Sequence, residues 1–122
     1  MAERIFTINA PIDQVRSIVT EVFTREGWTV TPFSADTLQI TRGKKGMSVA
    51  FGAFMGRNFY LSQNLQFGTG PHGETLVRYL SSTGSAIIGG ALGMRKSLKT
   101  HAEYAEKLAD ALQSCDILMS VR

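Results

Sequence analysis

Asn58-Phe59-Tyr60-Leu61-Ser62-Gln63-Asn64-Leu65-Gln66-Phe67 alternates along its whole length. Phe59, Leu61, Leu65 and Phe67 fall on one side with Gln63 among them, while Tyr60, Ser62, Asn64 and Gln66 take the other. A sustained period of two predicts a strand with one face on a core. The cluster Gly68-Thr69-Gly70-Pro71-His72-Gly73 predicts a turn, and Glu74 to Ser82 the partner strand of a hairpin. In that partner Leu76 and Leu80 oppose Val77 and Tyr79, the pattern of a strand covered on both sides.

Upstream, Asp36 to Arg42 alternates with Leu38 and Ile40 on one face, and Trp28 to Thr31 alternates until Pro32 ends it. Pro32 to Ala35 and Gly43 to Gly46 are read as turns. Met47, Val49 and Phe51 alternate with smaller residues before a glycine-bounded loop at Gly52 to Gly56. Further back, Ile12, Val15, Ile18, Val19, Val22 and Phe23 recur at the spacing of one helix face. Pro11 suits the first helical position, Asp13 favours the helix dipole, and Gly27 reads as the stop. The helix is expected from Pro11 to Glu26, preceded by a short strand at Ile5 to Ile8.

Downstream, Met94, Leu98, His101, Ala105, Leu108 and Leu112 form a stripe at spacings of three and four. It predicts a helix from Gly90 to Gln113. The tail, Cys115 to Arg122, carries Ile117, Leu118, Met119 and Val121 without a clear period, and either docks on the body or frays. The expected fold is α+β in the order β-α-β4-α, a mainly antiparallel sheet with the long C-terminal helix packed across it. Residues 1–114 form one domain and 115–122 the tail.

Composition agrees with a single globular domain. The chain has 122 residues, 43% hydrophobic and 19% charged. Cys115 is the only cysteine, so no internal disulfide can form; this favours a reducing, cytoplasmic setting. The N-terminus has no apolar run resembling a signal peptide. The stretch from Ser85 to Met94 is about half the ~20 residues a spanning helix needs. Charge is uneven. Between Thr37 and Ala102 eight basic residues meet one acid, Glu74; the remainder holds five basic and nine acidic residues. Such asymmetry suits either an anionic partner or a solvated face.

Phe6-Thr7-Ile8-Asn9-Ala10-Pro11-Ile12-Asp13-Gln14-Val15 resembles the opening of the START/polyketide-cyclase superfamily: an alternating strand, Ala-Pro, then a helix with an aliphatic residue four positions after the proline. The resemblance implies a helix-grip fold, in which an antiparallel sheet wraps a long C-terminal helix. The topology is also similar to one repeat of the TATA-binding-protein-like fold. The chain departs from the larger family in passing straight from helix to strand at Gly27-Trp28 and in having fewer strands, which implies a smaller cavity. No catalytic residue is carried over.

No HExxH, GxSxG or Walker A pattern occurs, His72 and His101 lie far apart, and Cys115 has no CxxC partner. No catalytic residue, metal site or cofactor is assigned. His101 and Gln63 are polar groups on otherwise apolar faces. Each either finds backbone or water as partner or orients a ligand across the sheet–helix interface. The glycine-rich lead at Ser85 to Lys96 serves close helix–sheet approach or an anion.

The first functional expectation is a non-enzymatic binding domain for a small apolar or amphipathic ligand, lined by Leu61, Gln63, Leu65, Leu98 and His101. The second is an interaction module that pairs with itself or with another protein through Phe51, Phe54, Met55 and the tail residues Ile117 to Met119, a homodimer being the cheapest way to bury them. If proton transfer occurs, His101 is the only core base. Lys44 and Lys45 are a modest lure for anionic membrane, and Arg42 and Arg57 join them if the basic charge is focused on one surface. Nucleic acid has no supporting motif.

Overall fold

The computed structural model describes residues 3–42, 61–81 and 90–122, and over these the chain is α+β. The elements are β1 (Glu3–Ile8), α1 (Ile12–Arg25), β2 (Thr29–Ser34), β3 (Thr37–Arg42), β4 (Leu61–Thr69), β5 (Thr75–Leu80), α2 (Gly90–Ser114) and β6 (Leu118–Val121). Lys44 and Lys45, the Met47–Phe51 alternation with its flanking glycine turns, and residues 85–89 of the glycine-rich lead lie outside the described residues.

The strands form one sheet in the order β2-β3-β4-β5-β1-β6, antiparallel at every pairing. Register decides which side chains share a face. Phe6 and Phe67 both stand opposite Val77, Leu38 and Tyr79 both stand opposite Leu65, and Ile40 stands opposite Gln63. This face is covered by Val15, Val19, Val22 and Phe23 of α1 and by Tyr104, Ala105, Leu108 and Leu112 of α2, all buried. Removing a side chain of this size from water contributes about 1.5–3 kcal/mol.

Both helices end in the same motif. Gly27 adopts φ +91°, its N–H donates to Thr24 O at 3.1 Å, and Trp28 N–H donates to Phe23 O at 2.9 Å. These bonds satisfy carbonyls the helix would otherwise leave open, and Trp28 packs edge-on against Phe23 at 5.9 Å. The turn thus delivers Trp28 onto the core face. At the end of α2, Asp116 takes the left-handed position at φ 59°, with Asp116 N–H to Gln113 O at 2.9 Å and Ile117 N–H to Leu112 O at 3.3 Å. Aspartate tolerates this region better than most residues. At the N-terminus of α1 Pro11 is the cap and Ile12 the first helical residue, one position later than expected.

One expectation is corrected here and one open alternative is decided. Pro32 does not end β2: the strand continues to Ser34 with a register shift between Pro32 and Ser34. Proline is tolerated because β2 is an edge strand with no ladder partner on its outer side among the described residues. Of the two outcomes open to the tail, docking is the one found, and it takes the form of a strand. Leu118–Val121 pairs antiparallel with β1 as β6, and Asn9 N–H donates to Ile117 O at 2.7 Å. No helix among the described residues is long and apolar enough to cross a membrane.

Candidate functional site

Gln63 lies on the core side of β4 and is fully buried. Its side-chain oxygen accepts a hydrogen bond from the Tyr79 hydroxyl. Tyr79 stands opposite Leu65, so it is the diagonal neighbour of Gln63 on β5. The amide nitrogen, Nε2, is buried and has no hydrogen-bond partner among the described residues.

His101 reaches the same tyrosine from α2. Its ring stacks on Tyr79 at 4.2 Å between centroids, and Nε2 lies 2.9 Å from the Tyr79 carbonyl oxygen. A carbonyl can only accept, so Nε2 carries the proton and donates. Gln63 and His101 therefore meet across the sheet–helix interface through Tyr79, its hydroxyl serving one and its carbonyl the other. Burial holds the Tyr79 hydroxyl well above the usual phenol range, so it stays a donor.

Burial also pushes His101 below its ordinary value of 6.5; the bond to the Tyr79 carbonyl opposes this, and the Arg4 charge adds to it. The imidazole is neutral at pH 7. The unfolded chain, with an unperturbed histidine, binds the extra proton first. Stability from this group is therefore complete above about pH 6.5 and lost as pH falls through the lower folded value. The wild-type protein should lose stability between pH 7 and 5 in urea titrations, and His101→Gln should flatten that segment of the profile. An unchanged slope would show that His101 is not the responsible group.

One turn before His101 the geometry changes. Leu98, expected in the apolar lining, is 40% exposed. α2 runs from the Tyr79 end of β5 toward the Ile117–Asn9 contact at the opposite end of the sheet. A helical turn advances 5.4 Å, so Leu98 lies near or beyond Leu80, where β5 ends. Leu61, Leu65 and His101 are buried as expected, with exposures of 2%, 0% and 2%.

A second cluster adjoins this one, and sequence reasoning missed it. Arg42 is opposite Leu61 on β3, one row from Gln63 on the same face. Its guanidinium carbon lies 5.0 Å from the Trp28 ring centroid and 5.6 Å from that of Tyr104, and Nη1 donates to the Tyr104 hydroxyl at 3.0 Å. Arg42 is thus turned toward the core-side aromatics and does not join an outward basic surface. Its Nε and the Trp28 Nε1 are buried without hydrogen-bond partners among the described residues. Glu26, next to Gly27, bridges to Lys107 of α2 at 2.9 Å, which holds its carboxyl below the usual range. Among the described residues no carboxylate pairs with Arg42. The available signal was Trp28 immediately after a helix stop and Arg42 on the side of β3 shared by Leu38 and Ile40.

Other concavities lie on outer surfaces. One of about 280 Å³ is on the opposite sheet face, between Ile5, Leu76, Arg78 and Arg122. Another is an open groove along α1, beside Arg16, Thr20 and Thr24. His72 is in the exposed β4–β5 turn, far in the fold from His101.

No family model matches the chain, and no curated protein sequence matches it at a significant level.

Proposed function

We propose that this chain is a non-enzymatic binding domain for a small apolar or amphipathic molecule, held where α2 crosses β4 and β5. The observation that carries this reading is the Gln63 amide nitrogen, buried on the core face with no hydrogen-bond partner among the described residues. A buried donor without an acceptor costs about 1–3 kcal/mol, and a ligand oxygen would recover it. Tyr79 and His101 fix the amide's orientation, because Tyr79 occupies the Gln63 oxygen and leaves the nitrogen as the free end. Leu61 and Leu65 supply the apolar wall. They are closed off in the folded chain, so the ligand enters as α2 separates from the strand ends, with exposed Leu98 at the rim. The helix-grip resemblance of residues 6–15 points the same way by analogy.

The test is a titration of ¹⁵N-labelled protein with 1-octanol, a neutral amphipathic probe. A saturable shift of the Gln63 side-chain amide signals, with smaller shifts of Tyr79 and His101, is expected. The shifts of Tyr79 and His101 should be absent in Gln63→Leu. Uniform, non-saturating changes over the whole spectrum would defeat the reading.

A further inference from the structure

Three buried side-chain polar atoms among the described residues have no hydrogen-bond partner: Trp28 Nε1, Arg42 Nε and Gln63 Nε2. All three are donors. They also share one region of the core face. Arg42 and Gln63 are diagonal neighbours across the β3–β4 pair, about 7 Å apart, and Trp28 lies against the Arg42 guanidinium. Donors brought this close by strand register and by the Trp28–Arg42 contact are matched by a group that only accepts.

The guanidinium itself narrows the choice. Nη1 is taken by the Tyr104 hydroxyl. The edge formed by Nε and Nη2 is the one that receives the two oxygens of a carboxylate in parallel, and on this edge Nε is buried and unpartnered. The aromatic faces of Trp28 and Tyr104 hold the group flat and in place. Glu26, which lies beside Tyr104, is committed to Lys107, and no ion pair to Arg42 is present among the described residues. A partly buried cation of this kind is costly alone and favours an anionic partner.

We infer that the ligand is a carboxylate-bearing amphipathic molecule whose head sits on the Nε/Nη2 edge of Arg42, with Gln63 Nε2 and Trp28 Nε1 as the flanking donors. This rests on the binding reading above and adds the charge and the head-group chemistry. Arg42 selects the anion; Gln63 and Tyr79 are common to charged and neutral ligands.

The experiment compares octanoate with 1-octanol, which share chain length and differ in the head. Binding is read by calorimetry and by the ¹⁵N signals of the Trp28 indole, the Arg42 Nε and the Gln63 amide, each resolved from the backbone. The wild-type protein should bind octanoate at least about tenfold more tightly than octanol, the yield of a charge-assisted bidentate pair. Octanoate should move all three side-chain signals. Arg42→Met should abolish the preference for octanoate over octanol. Arg42→Lys, which keeps the charge and loses the fork, should retain only part of it and carries the test if Arg42→Met does not fold. Equal affinity for the two probes in the wild type would overturn the carboxylate assignment and leave ligand binding standing. An octanoate preference that survives both substitutions would also overturn it. Binding of neither probe would overturn the binding reading and this inference together.

Discussion

Phe23→Ala should destabilise the protein by about 3–5 kcal/mol, the range for truncating a fully buried aromatic side chain. The position justifies the upper part of that range. Phe23 closes α1 and touches three rings, Trp28 at 5.9 Å, Tyr79 at 5.7 Å and Tyr104 at 5.7 Å. Those rings come from the turn before β2, from β5 and from α2, so one side chain ties both helices to the sheet. Each aromatic pair adds about 0.5–1.5 kcal/mol beyond area burial. Against a total stability of about 5–15 kcal/mol this leaves a small margin, and the melting temperature should fall by roughly 10–25 °C. Phe23→Leu, which keeps most of the volume, should cost under about 1.5 kcal/mol. A loss below about 1 kcal/mol for the alanine variant would mean that the helices are held by other contacts.

The Gln63–Tyr79 pair should behave as a unit. Tyr79→Phe removes the donor to the Gln63 oxygen and leaves both ends of a buried amide unpaired, at about 1–3 kcal/mol. Gln63→Leu strands the Tyr79 hydroxyl but eliminates the orphaned nitrogen, so it should cost less. The double variant Gln63→Leu/Tyr79→Phe removes every polar atom of the pair except the backbone and should equal or exceed the wild type in stability. The coupling in this cycle should reach about 1–3 kcal/mol, and additivity within about 0.5 kcal/mol would show that the two side chains do not share a bond. The stabilised double variant should also lose octanol binding.

The same molecule shows how far residue patterns reach. The alternation from Leu61 to Phe67 identified β4 and its inner face, because a pleated strand must send every second side chain to the core. The 3.6-residue spacing of Val15, Val19, Val22 and Phe23 and the stop at Gly27 identified α1, because helix geometry and the left-handed turn act over a few residues. These rules are local. Pro32 reads locally as a strand terminator because a missing N–H breaks a ladder; whether a ladder exists on that side depends on which strand is at the edge.

β6 shows the same limit from the other end. Four residues carry too little period to identify a strand, and its pairing partner, β1, lies more than a hundred residues earlier. The α+β class, the two helices, their faces and the polar oddity of Gln63 and His101 follow from the sequence, since each depends on neighbours within a turn or a pleat. The tertiary structure alone decided that Tyr79 joins Gln63 to His101, that Leu98 is exposed, and that Arg42 turns in among Trp28 and Tyr104 with its Nε unpaired among the described residues. Those facts depend on strand register and on where one helix crosses the sheet, contacts between residues far apart in the chain, and no local periodicity encodes them.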